Sequence, residues 1–267
     1  MLSGYLTLSF FICLLCSIPG FFRIVYFVGV CYGGSIAAEA FAAAVIFRAT
    51  LAGWALAQVL LLFGYGIRLA GYLVIRNMDR DYQRREASQA AKRGTVGVLK
   101  RIGIWVGVAA LYVLMALPVF LTLTAAASGL PLSSLPAGVV LMAIGLLLES
   151  IADWQKFHFK AAHPGRFCDT GLYRVVRCPN YLGEMVFWSG LWISALGAYH
   201  GWVEWLLCAM GLAAILGIMI GATRRLEGEQ AERYGTERAY TTYRRTVPVL
   251  LPFLPLYSLC RTGAARR

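Results

Sequence analysis

Ionisable and hydroxyl side chains set inside apolar runs are where chemistry is to be sought in this sequence. Glu39 lies in Ile36-Ala37-Ala38-Glu39-Ala40-Phe41, with no cation within a helical turn. A carboxyl group at bilayer depth costs several kcal/mol unless it is paired or hydrated, so it marks a functional position unless a neighbouring helix satisfies it for packing alone. Held there as a neutral acid, it can donate a hydrogen bond as well as accept one. Further on come Gln58, Tyr65, Arg68 and Tyr72. Gln58, Tyr65 and Tyr72 recur every seven residues and therefore share one helix face. Tyr72 suits an interfacial anchor and Arg68 either a snorkelling cation or a ligand contact, whereas Tyr65 lies deeper, as a phenolic donor.

A second group is richer in charge. Glu149, Asp153, Lys156 and Lys160 follow one another at steps of four, three and four, which keeps them within about 60° on one helix face. Two carboxylates followed by two ammonium groups suit a ligand bearing hydroxyls and phosphates; they equally suit a self-paired helix end. The stretch Gly171-Leu172-Tyr173-Arg174-Val175-Val176-Arg177-Cys178-Pro179-Asn180-Tyr181-Leu182-Gly183-Glu184 is the most specific in the chain. Pro179 suits the first turn of a helix, and Asn180, Glu184 and Trp188 then share a face. A polar, acidic and aromatic stripe makes a poor lipid surface and a good cofactor wall. Arg174 and Arg177 cluster at the positive end of that helix, where anions are favoured; contact with lipid headgroups is the plainer alternative. After Arg224-Arg225-Leu226-Glu227 the chain interleaves arginines with acids and tyrosines, Tyr234 and Tyr243 among them. A purely polybasic lipid anchor would not need those tyrosines and acids.

The elements that must carry these residues are membrane helices. Of 267 residues, 59% are hydrophobic and 14% charged, against about 25% charged in average soluble domains; mean hydropathy is +0.66. No charge interrupts Ile102 to Leu148. Intrinsic disorder and a disulfide-stapled module are excluded by such apolar content. Stretches of about 20 residues cross the hydrocarbon core, which places spans near 2–19, 24–47, 52–76, 102–127, 135–157, 181–198 and 202–223, with a break at Ile18-Pro19-Gly20. No basic residue precedes Arg23, so the first segment reads as a retained helix rather than a signal peptide.

Charge orients the bundle. Basic residues concentrate at 76–101 (Arg76, Arg80, Arg84, Arg85, Lys92, Arg93, Lys100, Arg101), at 156–180 and after 223, whereas 128–134 and 199–201 hold no Lys or Arg. By the positive-inside rule the basic segments are cytoplasmic. The expected fold is therefore all-α, a polytopic bundle of about seven transmembrane helices with the N-terminus outside and the C-terminus cytoplasmic; Arg48 alone departs from the rule. The net charge of +12 is explained by these loops or by a phosphate-rich ligand.

Other chemistries find little support. The seven cysteines are scattered, and Cys13-x-x-Cys16 lacks a second pair, so buried thiols are expected and no metal site. Gly64-Tyr65-Gly66 follows no strand and is not a dinucleotide turn. The basic segments are separated by spans and carry no nucleic-acid module.

Glu149 to Trp188, together with Arg224 to Pro252, resembles the carboxyl-terminal part of the steroid 5α-reductase family and its bacterial relatives, and Tyr234 to Pro248 is also similar to sterol Δ14-reductases. The resemblance implies an integral, multi-pass membrane enzyme, expected in a bacterial inner membrane and as a monomer. It would use NADPH to reduce the Δ4 double bond of 3-oxo-Δ4 steroids. Residues 1–130 would form helices enclosing a steroid or related enone lipid, and 131–267 would hold NADPH. By resemblance Asp153, Lys160, Asn180, Glu184, Trp188 and Arg224 or Arg225 fall at cofactor-contact positions, and Glu149, Arg174, Arg177 and Tyr243 are expected beside the cofactor as well. Tyr65 would engage the substrate carbonyl with Glu39 as its partner acid, and Gln58 and Arg68 would contact substrate. Ala38 stands where that family has a glutamine beside its glutamate. Isoprenylcysteine and phospholipid methyltransferases, which use S-adenosylmethionine, share an Arg-His-Pro-x-Tyr-x-Gly stretch; here Cys178 replaces the histidine and Glu184 follows the glycine, as in the reductases.

Overall fold

The computed structural model describes residues 2–78, 83 and 96–259. Among them all regular structure is helical, as the apolar runs predict. Helix α1 (Leu2–Cys16) ends in a 3₁₀ turn with Pro19 in its first turn, so the predicted break is present. A single turn, α2 (Ile24–Phe27), precedes α3 (Val30–Ile46). Then follow α4 (Gly53–Met78), α5 (Val98–Ala127), α6 (Leu135–Ala162), α7 (Pro179–Ser194), α8 (Trp202–Tyr234) and the short α9 (Arg238–Thr246).

Among the described residues, five helical segments are long and apolar enough to cross a membrane: Ile24–Ile46, Gly53–Met78, Val98–Ala127, Leu135–Ala162 and Trp202–Tyr234. They coincide with five expected spans, so the protein is a multi-pass helical membrane protein. The other two expected segments form helices of 15 and 16 residues, about 22–24 Å at 1.5 Å per residue and short of the ~30 Å hydrocarbon core. Helices α6 and α8 run well past residues 157 and 223, where hydropathy falls, because backbone hydrogen bonding does not stop where apolar side chains stop. Arg80, Arg84, Arg85, Lys92, Arg93, Cys260, Arg261, Arg266 and Arg267 lie outside the described residues.

The chain forms two compact units, Met1–Val139 with Leu191–Gly211, and Val140–Gly190 with Leu212–Arg267. In the first, α3 packs along α4, and α1 packs on α3 and α5. The α3–α4 contact is backbone to backbone: a Cβ on Gly33 would sit 2.7 Å from the Gly66 carbonyl oxygen, and one on Gly66 would sit 2.6 Å from Ala37 N. Within lipid, apolar side chains gain little by leaving the tails, so such close small-residue contacts hold helices together. Around α1 and α5, Tyr5 stacks on Phe120 at 3.8 Å inside a cluster with Leu117, Leu121 and Tyr199.

The second unit repeats the device. A Cβ on Gly145 of α6 would lie 2.4 Å from Phe187 N, and one on Gly183 of α7 would lie 2.5 Å from Glu149 N. Beside this crossing, Cys178, Val249 and Leu250 form a buried cluster joined by Tyr181, Met185 and Leu226.

Candidate functional site

In the first unit the glycine contact decides which polar side chains meet. Tyr32 precedes Gly33 and Tyr65 precedes Gly66, so the crossing brings two phenols together. Their hydroxyls share a hydrogen bond of 3.0 Å, and Tyr65 is wholly buried. Tyr32 stacks on Tyr112 at 5.3 Å, and the Tyr112 hydroxyl donates to the Phe27 carbonyl.

Glu39 lies seven residues beyond Tyr32, about 10.5 Å along the same face of α3, and is 2% exposed. Its Oε2 accepts from the Tyr5 hydroxyl at 3.0 Å and its Oε1 from Cys13 Sγ at 3.5 Å, while Ser9 faces the same carboxyl. Glu39 thus meets Tyr5 and Cys13 of α1, and Tyr65 meets Tyr32.

Gln58 is fully buried on the Tyr65 face of α4. Its Nε2 donates to Ser194 Oγ at 2.6 Å, and that hydroxyl donates to the Leu191 carbonyl at 2.6 Å. Because the serine has given its proton to Leu191, it can only accept from Gln58, which fixes the amide's orientation. Arg68 is half-buried one turn from Tyr65.

The second unit gathers charge at the α6–α7 crossing. Glu149, Asp153, Glu184 and Trp188 are all buried, and the Gly183 contact sets the backbones carrying Glu149 and Glu184 side by side. Asn180 lies one turn before Glu184 with its Oδ1 buried and lacking a hydrogen-bond partner. Lys160 donates to the Tyr234 hydroxyl at 2.9 Å and to the Arg166 carbonyl, with Nζ 5.2 Å from the centre of the Tyr234 ring. Arg174, Arg224 and Arg225 are exposed.

Arg177 behaves differently from those three cations. Its side chain is 1% exposed and its Nη2 donates to Glu227 Oε1 at 2.9 Å and to the Tyr257 carbonyl at 2.6 Å. Its Nε and Nη1 are buried with no hydrogen-bond partner. Tyr243 donates to the Tyr173 carbonyl at 2.7 Å, and burial raises its phenol above the usual range. Burial likewise pushes the Cys178 thiol up to about 11, against the opposing pull of Lys156 and Arg177.

The family described as "protein of unknown function (DUF1295)" matches residues 21–247. The chain belongs to this family. DUF1295 is associated with steroid 5-alpha-reductase-like membrane proteins. An uncharacterized protein of Schizosaccharomyces pombe is 30% identical over 86 residues, covering 32% of this chain and 24% of the yeast protein; the match spans about a quarter of that relative's length. No solved structure matches the chain. The DUF1295 region contains Tyr32, Glu39, Tyr65, the α6–α7 acids, Arg177 and Glu227, and leaves outside it Tyr5 and Cys13 of α1 and the segment after Val247.

Tyr5, Cys13, Tyr32, Ser194 and Glu227 were not singled out as site residues from sequence. Tyr32 carried a usable signal, since Tyr32-Gly33 repeats the Tyr65-Gly66 pair. The others are tertiary partners with no local signature.

Proposed function

We propose that this DUF1295 protein is an NADPH-dependent enone reductase of the membrane, converting 3-oxo-Δ4 steroids to 3-oxo-5α-steroids. The observation that carries the reading is the buried phenol pair Tyr32–Tyr65, 3.0 Å apart in an apolar interior, in a family associated with such reductases.

The donor set of the second unit fits the cofactor. Asn180 Oδ1 is buried and unsatisfied, a polar atom that a nicotinamide dinucleotide would satisfy. Glu149, Asp153 and Glu184 suit its hydroxyl and amide donors, and Trp188 offers a flat wall. Because Arg177 is already committed in part to Glu227, the phosphates fall chiefly to Lys160, Arg174, Arg224 and Arg225, with Tyr243 alongside. NADPH, when bound, supplies a hydride.

As hydride reaches the β-carbon (C5) of the enone, negative charge collects on the ketone oxygen. Tyr65 donates a hydrogen bond to that oxygen, and Tyr32, donating to Tyr65, strengthens it through a polarised chain in low dielectric. A donor aimed at a developing oxyanion is worth about 3–4 kcal/mol. Glu39, fixed by Tyr5 and Cys13 two turns along α3, holds α1 against this group. A proton from water completes the α-carbon, so two hydrogens are added and one NADPH is oxidised.

The test is direct: testosterone or progesterone is added to the detergent-solubilised protein with NADPH. Loss of the cofactor's near-ultraviolet absorbance with appearance of the 5α-dihydro steroid supports the reading. Retention of S-adenosylmethionine with indifference to NADPH overturns it in favour of methyl transfer.

A further inference from the structure

The segment Val247–Leu259 carries no charged residue and is pinned at both ends. At one end Arg177 N donates to the Pro248 carbonyl at 2.9 Å and Cys178 N to the Val249 carbonyl at 3.0 Å, and Val249 and Leu250 are buried against Cys178 and Leu226. At the other end Leu259 N donates to Glu227 Oε2 at 2.8 Å, Arg177 Nη2 donates to the Tyr257 carbonyl, and Arg244 Nη2 donates to Ser258 Oγ at 3.4 Å. Val249 N donates to the Leu256 carbonyl at 2.9 Å, which folds the stretch between them into a closed loop.

That loop turns its apolar side chains outward. Phe253 is 96% exposed and Leu254 53%, with Leu251, Leu256 and Tyr257 also exposed. The depth of the loop follows from α8. Its apolar run ends at Thr223, Arg224 and Arg225 are exposed immediately after it, and Glu227 stands four residues on, about 6 Å along the helix. The headgroup layer is about 5–7 Å thick on each side of the hydrocarbon core. Both anchors of the loop, on Leu226 and Glu227, therefore lie at headgroup depth. Exposed Arg224, Arg225 and Arg245 flank it with positive charge suited to anionic lipid.

We infer that the loop Leu251–Leu256 inserts into the interface of the bilayer that the protein itself spans, with Phe253 at its tip. It is a lipid-binding surface, independent of whether the protein is a reductase. The buried Arg177–Glu227 pair is its hinge pin: it holds the loop at the depth where phenylalanine and leucine side chains leave water and basic neighbours stay among phosphates.

The full chain, reconstituted in phosphatidylethanolamine–phosphatidylglycerol vesicles, tests this with a photoreactive benzoylphenylalanine replacing Phe253. Leu147, 61% exposed in the middle of α6, is the lipid-facing reference. Glu237, exposed 14 residues past Thr223, is the aqueous one. On irradiation, position 253 should form protein–lipid adducts at a yield close to that of position 147 and several-fold above that of position 237, read by intact-protein mass. A yield equal to that of position 237 overturns the inference, as does a crosslinked dimer, which would mean that a second copy covers the loop. Since Phe253 is almost wholly exposed, its replacement leaves the fold intact, and Phe253→Ser serves as a second variant: it should leave thermal stability in detergent unchanged while slowing capture by anionic lipid.

Discussion

A phenol and an acid in an apolar interior each need a polar partner, and both have one here. Tyr65 meets Tyr32, and Glu39 meets Tyr5 and Cys13. The sequence marks Glu39 and Tyr65 because their burial is costly; it could not mark their partners, since helix packing, rather than chain proximity, decides who meets whom. Tyr65→Phe should therefore lower turnover by roughly 10² or more, measured as steroid product per NADPH, with cofactor binding near normal. Glu39→Leu and Tyr5→Phe should be strongly non-additive in a double-mutant cycle of thermal stability, because each removes the same hydrogen bond; additive effects would separate the pair. Cys178 offers an independent check on burial. With its thiol pushed up to about 11, only about 10⁻³ is thiolate at pH 8, so iodoacetamide should spare it in the folded protein and modify it once the protein is denatured.

The helices were the most legible level. Apolar runs of about 20 residues marked the spans, and Pro19 marked the first break. What hydropathy could not show was where the helices touch. Gly33 and Gly66 look like any other glycines in the sequence, yet an added Cβ there would meet backbone atoms at 2.6–2.7 Å, whereas at Gly64 it would meet nothing within 4 Å. Gly66→Ala should destabilise the protein by about 1–3 kcal/mol, the usual cost of overpacking, and part the Tyr32–Tyr65 bond. Gly64→Ala should be close to neutral in the same thermal unfolding series. The Arg177–Glu227 pair was equally hidden. Arg177 stands in a stretch that the sequence assigns to an anionic ligand or lipid headgroups and Glu227 has no assigned role, but the loop 247–259 covers them. Breaking such a buried pair by Glu227→Ala should cost about 3–5 kcal/mol, whereas losing exposed Arg225 should cost little stability.

At the scale of the whole molecule, the basic balance of +12 and the apolar runs led to a multi-pass helical protein, and the fold agrees. The two compact units interleave along the chain: residues 191–211 pack with the first 139. Helices that enter and leave a bundle repeatedly make such interleaving invisible to a reading that moves along the chain. The family match across residues 21–247 includes both the phenol pair and the acidic crossing, and the proposed reduction assigns the first to the ketone and the second to NADPH. That claim meets its sharpest test in isotope transfer. Purified protein in lipid vesicles is given NADPH deuterated at the nicotinamide C4 and a 3-oxo-Δ4 steroid, and the product is read by mass spectrometry. The account predicts a saturated ketone with one deuterium on the former β-carbon, its yield lowered about 10²-fold by Tyr65→Phe. A product without deuterium, or unchanged enone alongside intact NADPH, would contradict it.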